Sequence, residues 1–242
     1  MAEAALWGAA GASSLLLGAV IGLVFSIPRG VIGLVLGFGA GTLISALTFE
    51  LTEEAFKLGG ADAVAIGLAL GALAYFAGDW LIERRGAQNR LSSRGEQAGG
   101  SATALLFGAV LDGIPESAVI GITLLEGSTV GIPLLAAVFL SNLPESLSSA
   151  TGMRIAGHST RYVLGVWTIV MIVGGIAAAL GFGLLDGASP NTIGLIQAFA
   201  GGAVLTMLVD TMIPEAMGDK HKAVGLVTVL GFALAYLLST LE

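Results

Sequence analysis

The chain has 242 residues, of which 55% are hydrophobic and 11% are charged, and its formal net charge is −7 at neutral pH. Apolar runs of roughly twenty residues recur from end to end, which is the length an α-helix needs to cross a bilayer, so a water-soluble globular class is excluded. A β-barrel is excluded by the same runs, and the absence of cysteine excludes disulfides and thiolate metal ligands.

Apolar windows bounded by charged residues, glycine or proline predict eight transmembrane helices. In chain order they cover residues 5–26, 31–56, 62–82, 102–124, 131–153, 161–185, 191–217 and 223–241. The first window shows no signal-peptide pattern, so we expect it to stay in the mature chain. The longest polar connection, 83–101, is too short to fold separately. We therefore predict one transmembrane domain, 1–242, with 83–101 as a cytoplasmic loop.

The basic residues fall almost entirely on one side of these eight windows, and Lys57 alone falls on the other. Basic residues in short loops are retained in the cytoplasm, so both termini are predicted to face outside. The protein is expected to be a multi-pass protein of the cell membrane. The side predicted to be cytoplasmic holds Arg29, Arg84, Arg85, Arg90, Arg94, Arg154, Arg161, Lys220 and Lys222.

The second and seventh windows resemble each other. FGAGTLISALTFELTEEA, residues 38–55, aligns without gaps with FAGGAVLTMLVDTMIPEA, residues 199–216, and five positions are identical. The two helices cross in opposite directions, as do the consecutive fourth and fifth helices. This pattern predicts an inverted repeat of three, two and three helices (3+2+3), a construction common in secondary transporters that bind their substrate near the middle of the bilayer.

The fourth and fifth windows each carry Pro-Glu-Ser near their middle, in LDGIPESAVI and LSNLPESLSSA. Asp112 and Glu116 share one helix face, and Asn142 and Glu145 share another. A carboxylate at this depth costs roughly 2.5–3.5 kcal/mol to insert, and neither window contains a Lys or Arg. A bound cation would offset the repulsion; the alternative is a pair of ordinary proline kinks with protonated carboxyl groups.

These motifs resemble those of the ZIP (Zrt-, Irt-like protein) metal transporters. The fourth helix of that family usually reads His-Asn-x-Pro-Glu-Gly, and the fifth carries a similar His-x-x-Pro-Glu-Gly. ALTFELTEEAF and LVDTMIPEAM resemble the family's second and seventh helices, so the resemblance covers nearly the whole chain. It implies eight helices with both termini outside and a metal centre at mid-membrane.

By this resemblance, Glu116 and Glu145 stand at the motif glutamates, while Asp112 and Ser141 replace the usual histidines. Oxygen ligands suit Mn²⁺ better than imidazole-rich sites do, whereas Zn²⁺ is the family default. Glu50 stands at the position of the second-helix histidine and is either an outer ligand or an interfacial carboxylate. The predicted metal ligands are Asp112, Glu116, Asn142, Glu145, Ser141 and Glu50.

The predicted function is a divalent cation transporter that moves Zn²⁺, or Mn²⁺ or Fe²⁺, toward the cytoplasm without another cofactor. A cation exchanger of another family, suggested by EAMGDKH, and a membrane sensor that binds metal without moving it remain as alternatives. No enzyme is expected, because Leu58 stands where a Glu-Glu-x-x-x-Arg protease needs its arginine. The expected partners are the lipid bilayer and the metal ion, without nucleic acid, and a homodimer stays open.

Three other carboxylates receive separate interpretations. Asp79 is expected to pair with Arg84 or Arg85 near the inner end of the third helix. Asp210 and Glu215 lie toward the inner end of the seventh helix, where they would form an exit station. For Glu215, a solvated helix end is the favoured interpretation.

The distribution of basic residues yields a prediction of topology. An epitope tag at either terminus should be reached by antibody in intact cells, whereas a tag between Arg84 and Arg94 should be reached only after permeabilisation. The opposite labelling pattern would contradict both the orientation and much of the family resemblance.

Overall fold

A computed structural model describes residues 1–126, 130–218 and 222–241, and this part of the chain contains helices and no β-strand. The all-helical prediction is therefore confirmed. Five helical stretches are long and apolar enough to cross a membrane, as expected for a polytopic membrane protein. Lys220, one of the nine basic residues predicted to lie on the inner side, falls outside the described residues.

The described residues form nine α-helices and several shorter turns. Short π-helical stretches, Leu47–Thr52 and Leu208–Met212, join α2 to α3 and α7 to α8. A π-helical turn, Glu83–Ala87, and a 3₁₀ turn, Glu96–Gly99, lie between α3 and α4. The α-helices are α1 Ala2–Val24, α2 Arg29–Ala46, α3 Glu53–Ile82, α4 Ala102–Glu126, α5 Ile132–Ile155, α6 Thr160–Leu185, α7 Pro190–Met207, α8 Ile213–Met217 and α9 Val224–Ser239.

The second and third predicted segments are joined without a loop. Helical structure runs from Arg29 to Ala87, and Gly60 interrupts α3 with φ 70° and ψ −174°. Positive φ is readily adopted only by a residue without a Cβ, and nothing lies within 4 Å of where one would stand. A single glycine therefore provides the kink that the sequence suggested would be a short connection.

Glycines at corresponding positions of α2 and α7, and of α3 and α9, make the same kind of close contact with a facing helix. At four of them an added Cβ would strike the backbone carbonyl of a facing helix, so helix backbones approach closely there. The two longer π-helical stretches also fall at corresponding positions of the second and seventh predicted segments. The four close contacts pair Gly41 with Thr228, Gly202 with Leu68, Gly231 with Phe38 and Gly71 with Phe199.

The two ends of the bundle differ in charge. At one end Gly59, two residues from Lys57, packs against Asn191, while Ser239 donates a hydrogen bond to Glu50 at 2.5 Å. Met1 packs against Gly183 at the same end. At the opposite end Arg154 donates to the carbonyl groups of Leu23 and Phe25, and Arg94 packs against Gly218. Lys57 is thus separated from these arginines by the length of the bundle.

The close contacts generate a prediction about stability. Gly71→Ala should lower the free energy of unfolding by about 1–3 kcal/mol, because the new methyl group would collide with the Phe199 carbonyl. Gly165→Ala is the matched control: no neighbour lies within 4 Å, and alanine favours the helix by up to about 1 kcal/mol. Unfolding in detergent, followed by circular dichroism, measures both. Equal effects of the two substitutions would contradict the packing.

Candidate metal centre

The helix α5 is polar yet buried along most of its length. It is not among the stretches apolar enough to span a membrane alone, because serine, asparagine and glutamate interrupt it. Small residues of neighbouring helices let the bundle close around it. A Cβ on Gly18 of α1 would strike the Leu143 carbonyl, and one on Gly39 of α2 would lie 2.9 Å from Pro144 Cγ. The polar side chains of α5 therefore face protein instead of lipid.

The predicted ligands of α4 and α5 are all buried, with exposures of 5% or less. Glu116 lies within electrostatic range of Asp112, and Glu145 lies within range of Asp112, Glu116 and Arg90. The structure thus brings three carboxylates into one region. In the described ranges, however, no three Asp, Glu, His or Cys side chains converge closely enough to hold a metal ion.

Glu116 is the least compensated of these groups. Its side chain is 1% exposed, and among the described residues neither carboxylate oxygen has a hydrogen-bond partner. A buried carboxylate without a partner is strongly unfavourable in its charged form. The middle of α4 therefore holds a group that requires either a proton or a cation.

Asp112, by contrast, is fully engaged by protein groups. Arg90 donates from Nε to Asp112 Oδ2 at 2.8 Å and from Nη2 to Oδ1 at 2.9 Å. The Tyr75 hydroxyl donates to the same Oδ1 at 2.5 Å. Burial disfavours the guanidinium charge, but the Asp112 carboxylate outweighs it and raises the pKa of Arg90 well above its ordinary value. Asp112 is therefore the anionic half of a buried, bidentate ion pair.

This partner is a residue that the sequence did not reveal. Neither α4 nor α5 contains a basic side chain at this depth, so the expectation was that a metal ion or a proton neutralises Asp112. Arg90 instead comes from the connection between α3 and α4 and is only 3% exposed. The connection between α3 and α4 therefore folds back into the bundle at this residue.

The predicted partner of Asp79 is also wrong. Asp79 Oδ1 lies 2.7 Å from Arg90 Nη1, a close ion pair that is not aligned as a hydrogen bond. Arg84 instead stacks its guanidinium over the Trp80 ring, 3.5 Å from the ring centre, and Arg85 is exposed. Arg90 therefore bridges a carboxylate of α3 and a carboxylate of α4.

Residues 88–101, here called the plug loop, are held in the bundle by a set of hydrogen bonds. Ser149 of α5 donates to the Arg90 carbonyl, and Ser148 donates to the Leu91 carbonyl, both at 2.7 Å. Glu215 accepts from the backbone N–H and the hydroxyl of Ser93, at 2.8 and 2.6 Å. The interpretation of Glu215 as a solvated helix end is therefore wrong, since this carboxylate anchors the plug loop.

Two glycines make room for the plug loop. A Cβ on Gly108 of α4 would collide with Cδ of Arg90. A Cβ on Gly152 of α5 would collide with the Ser92 carbonyl and lie 2.6 Å from the Gln97 amide. The Gln97 amide in turn donates to the Ser92 carbonyl at 2.5 Å. Gly108 and Gly152 thus leave space for the plug loop, and the serines of α5 bond to its backbone.

The remaining predicted ligands have separate surroundings. The Ser141 hydroxyl donates to the Val138 carbonyl of its own helix at 2.9 Å, and Asn142 is 2% exposed. The Leu140 carbonyl, which Pro144 leaves without an N–H donor, faces α2 at Gly39, 3.5 Å from the position of an added Cβ.

Glu50 is not part of the α4–α5 region. It lines an open cavity of about 420 Å³ at the Lys57 end, together with Glu53 and Glu54. Lys57 lies 3.2 Å from each of those two glutamates. At the other end, Asp210 lines a cavity of about 170 Å³ beside the plug loop.

The chain shows a distant similarity to a known protein. The chain is 24% identical over 190 residues to a protein of Arabidopsis thaliana named "Putative zinc transporter". The match covers 77% of this chain but 30% of that relative, so the chain spans less than a third of the relative's length. No protein-family model matches the chain. The similarity supports, at most, a relation to zinc transporters.

The Tyr75–Asp112 hydrogen bond yields a prediction about stability. Tyr75→Phe should lower the free energy of unfolding by about 1–3 kcal/mol, because it removes one donor to a buried carboxylate and keeps the ring. Tyr236→Phe, at a tyrosine that is 42% exposed, serves as the control and should change stability by less than about 0.5 kcal/mol. Detergent unfolding curves compare the two, and an unaffected Tyr75→Phe variant would contradict the assigned bond.

Proposed function

We propose that this protein is a divalent cation transporter of the ZIP type, which carries Zn²⁺, Mn²⁺ or Fe²⁺ across the cell membrane toward the cytoplasm. The observation that carries the proposal is Glu116, a buried mid-helix carboxylate with no hydrogen-bond partner among the described residues. Intramembrane carboxylates of this kind mark ion pathways in transport proteins.

The balance of buried charge supports the same function. Asp79, Asp112, Glu116 and Glu145 are four buried carboxylates, and Arg90 is the guanidinium that lies among them. When all are ionised, three negative charges remain in excess. A divalent cation between Glu116 and Glu145 would remove most of that excess, whereas a purely structural ion pair would need only one of the four carboxylates.

The architecture that we propose is the 3+2+3 inverted repeat, with eight membrane crossings and both termini outside. The matching glycine contacts of the two halves and the corresponding π-helical stretches support it. The accumulation of arginines at one end of the bundle supports the orientation by the positive-inside rule. The substrate centre would then lie between α4 and α5, which belong to neither triplet and sit at the repeat interface.

The choice among metals follows from the ligand atoms. Glu116 and Glu145 offer carboxylate oxygens, Asn142 offers an amide group, and none of the three offers an imidazole. This set accepts Mn²⁺ and Fe²⁺ readily, while Zn²⁺ retains the advantage of the Irving–Williams order at an undistorted site. The similarity to a protein named for zinc supports keeping Zn²⁺ first.

Conservative substitution of the two glutamates tests the proposal. Glu116→Gln and Glu145→Gln should each raise the half-saturating Zn²⁺ or Mn²⁺ concentration about a hundredfold or abolish saturable uptake into proteoliposomes, because each removes a charged ligand. Glu3→Gln, the same change at an exposed residue of α1, should leave uptake unaltered.

The outcomes separate the candidate functions. If the two glutamine variants transport like the parent protein, the centre between α4 and α5 is not the substrate site. If the parent protein binds Zn²⁺ in calorimetry but accumulates none in proteoliposomes, it is a membrane metal-binding protein and the transport proposal fails.

A further inference from the structure

The position of Arg90 blocks one part of the proposed substrate centre. Its Nε and Nη2 groups bond both oxygens of Asp112, and Tyr75 adds a third hydrogen bond to Oδ1. A carboxylate has about four acceptor positions, so little of this one is left for a metal ion. The guanidinium charge also repels any cation that approaches Asp112. In this arrangement Asp112 cannot serve as a metal ligand.

The element that delivers Arg90, the plug loop, makes both polar and apolar contacts. Hydrogen bonds between polar groups, which water can replace when the loop leaves, join it to α5 and Glu215, and Leu91 packs in the hydrophobic core. Gly86 and Gly95 have positive φ angles of 103° and 82°, so the chain turns sharply on the N-terminal side of the loop and within it. The cavity of about 170 Å³ at Asp210 lies alongside.

We infer that Arg90 is a tethered cation that competes with the transported metal ion for Asp112, and that this competition helps to select divalent ions. Withdrawal of the plug loop removes the guanidinium and frees a third carboxylate beside Glu116 and Glu145. The inference rests on the proposed transport function and adds to it a residue that sets affinity and selectivity.

The selectivity follows from charge. A monovalent ion such as K⁺ offers Asp112 no more charge than Arg90 does, and it cannot reproduce the two directed hydrogen bonds of the guanidinium. A divalent ion offers Asp112 twice the charge, and Glu116 and Glu145 lie within electrostatic range of the same carboxylate. Displacement of Arg90 is therefore favourable for a divalent ion and unfavourable for a monovalent one.

The absence of cysteine allows the movement to be measured directly. In Ser92→Cys, the single thiol lies in the plug loop at a residue that is 4% exposed, so a membrane-permeant maleimide should react slowly. Saturating Mn²⁺ should raise the rate about tenfold, whereas K⁺ at equal ionic strength should not. Ala98→Cys, at an exposed residue of the same loop, is the control and should react rapidly under all conditions. Adding Asp112→Asn to Ser92→Cys should abolish the Mn²⁺ dependence.

Uptake provides the second measurement. Because an ion binds only the fraction of molecules whose Asp112 is free, removing the competitor lowers the apparent dissociation constant by that fraction. Arg90→Gln should lower the half-saturating Mn²⁺ concentration about tenfold and make uptake sensitive to K⁺. Arg85→Gln, an exposed arginine just before the plug loop, is the matched control and should change neither.

A second variant covers the case in which Arg90→Gln fails to fold. Gly108→Ala keeps every charge and displaces the Arg90 side chain by steric collision alone. It should shift the half-saturating Mn²⁺ concentration in the same direction as Arg90→Gln. An unchanged or higher value in Gly108→Ala would argue against competition at Asp112.

The two readouts keep the inference separable from the proposed function. Suppose that Mn²⁺ uptake is saturable, that Mn²⁺ does not change the labelling rate of Ser92→Cys, and that Gly108→Ala does not change the half-saturating Mn²⁺ concentration. This result overturns the competition and leaves the transport function standing. Mn²⁺-dependent labelling of Ser92→Cys without any uptake supports the competition and overturns transport. If neither labelling nor uptake responds to Mn²⁺, both are wrong.

Discussion

The ion pair between Arg90 and Asp112 is the interaction on which the plug-loop end of the bundle depends. A guanidinium in this position requires carboxylates close by, and Asp112 and Asp79 supply them from two helices. The backbone around Arg90 must then enter the bundle, which is why Gly108 and Gly152 lack side chains where it passes. The serines of α5 complete the arrangement by satisfying the carbonyl groups that enter with it.

Glycines at close contacts also determine how the helices pack. In lipid there is no hydrophobic force to press helices together, so close approach of backbones must supply the contact. Glycines facing carbonyl groups achieve this between α2 and α9 and between α3 and α7, in corresponding positions. This packing leaves α5 and the carboxylates of α4 in the interior, and it explains why a chain rich in glycine still forms a defined bundle.

The sequence predicts the helical class well, because long apolar runs in a membrane have one main solution. The sequence also indicates that Glu116 and Glu145 are buried carboxylates, since each lies inside an apolar run. It could not identify Arg90, because the contact joins a loop to a helix 22 residues further along and no local periodicity records it. One sign of the buried loop was present in the sequence of α5. Ser148 and Ser149 are polar residues in a predicted transmembrane segment, and they donate to the Leu91 and Arg90 carbonyl groups of the plug loop. The break at Gly59 and Gly60 was expected as a short connection, because the sequence does not show that helical structure continues through a single glycine of positive φ.

The polarity of α5 has a consequence for how the protein is made. A helix interrupted by Ser141, Asn142 and Glu145 gains little from contact with lipid, so it has a weak tendency to partition into the bilayer alone. Its favourable surroundings are other helices, and α1, α2 and α4 precede it in the chain. Integration of α5 is therefore a step of tertiary assembly on helices already in place, and substitutions in Gly18 or Gly39 would act on membrane insertion during synthesis as well as on the finished bundle.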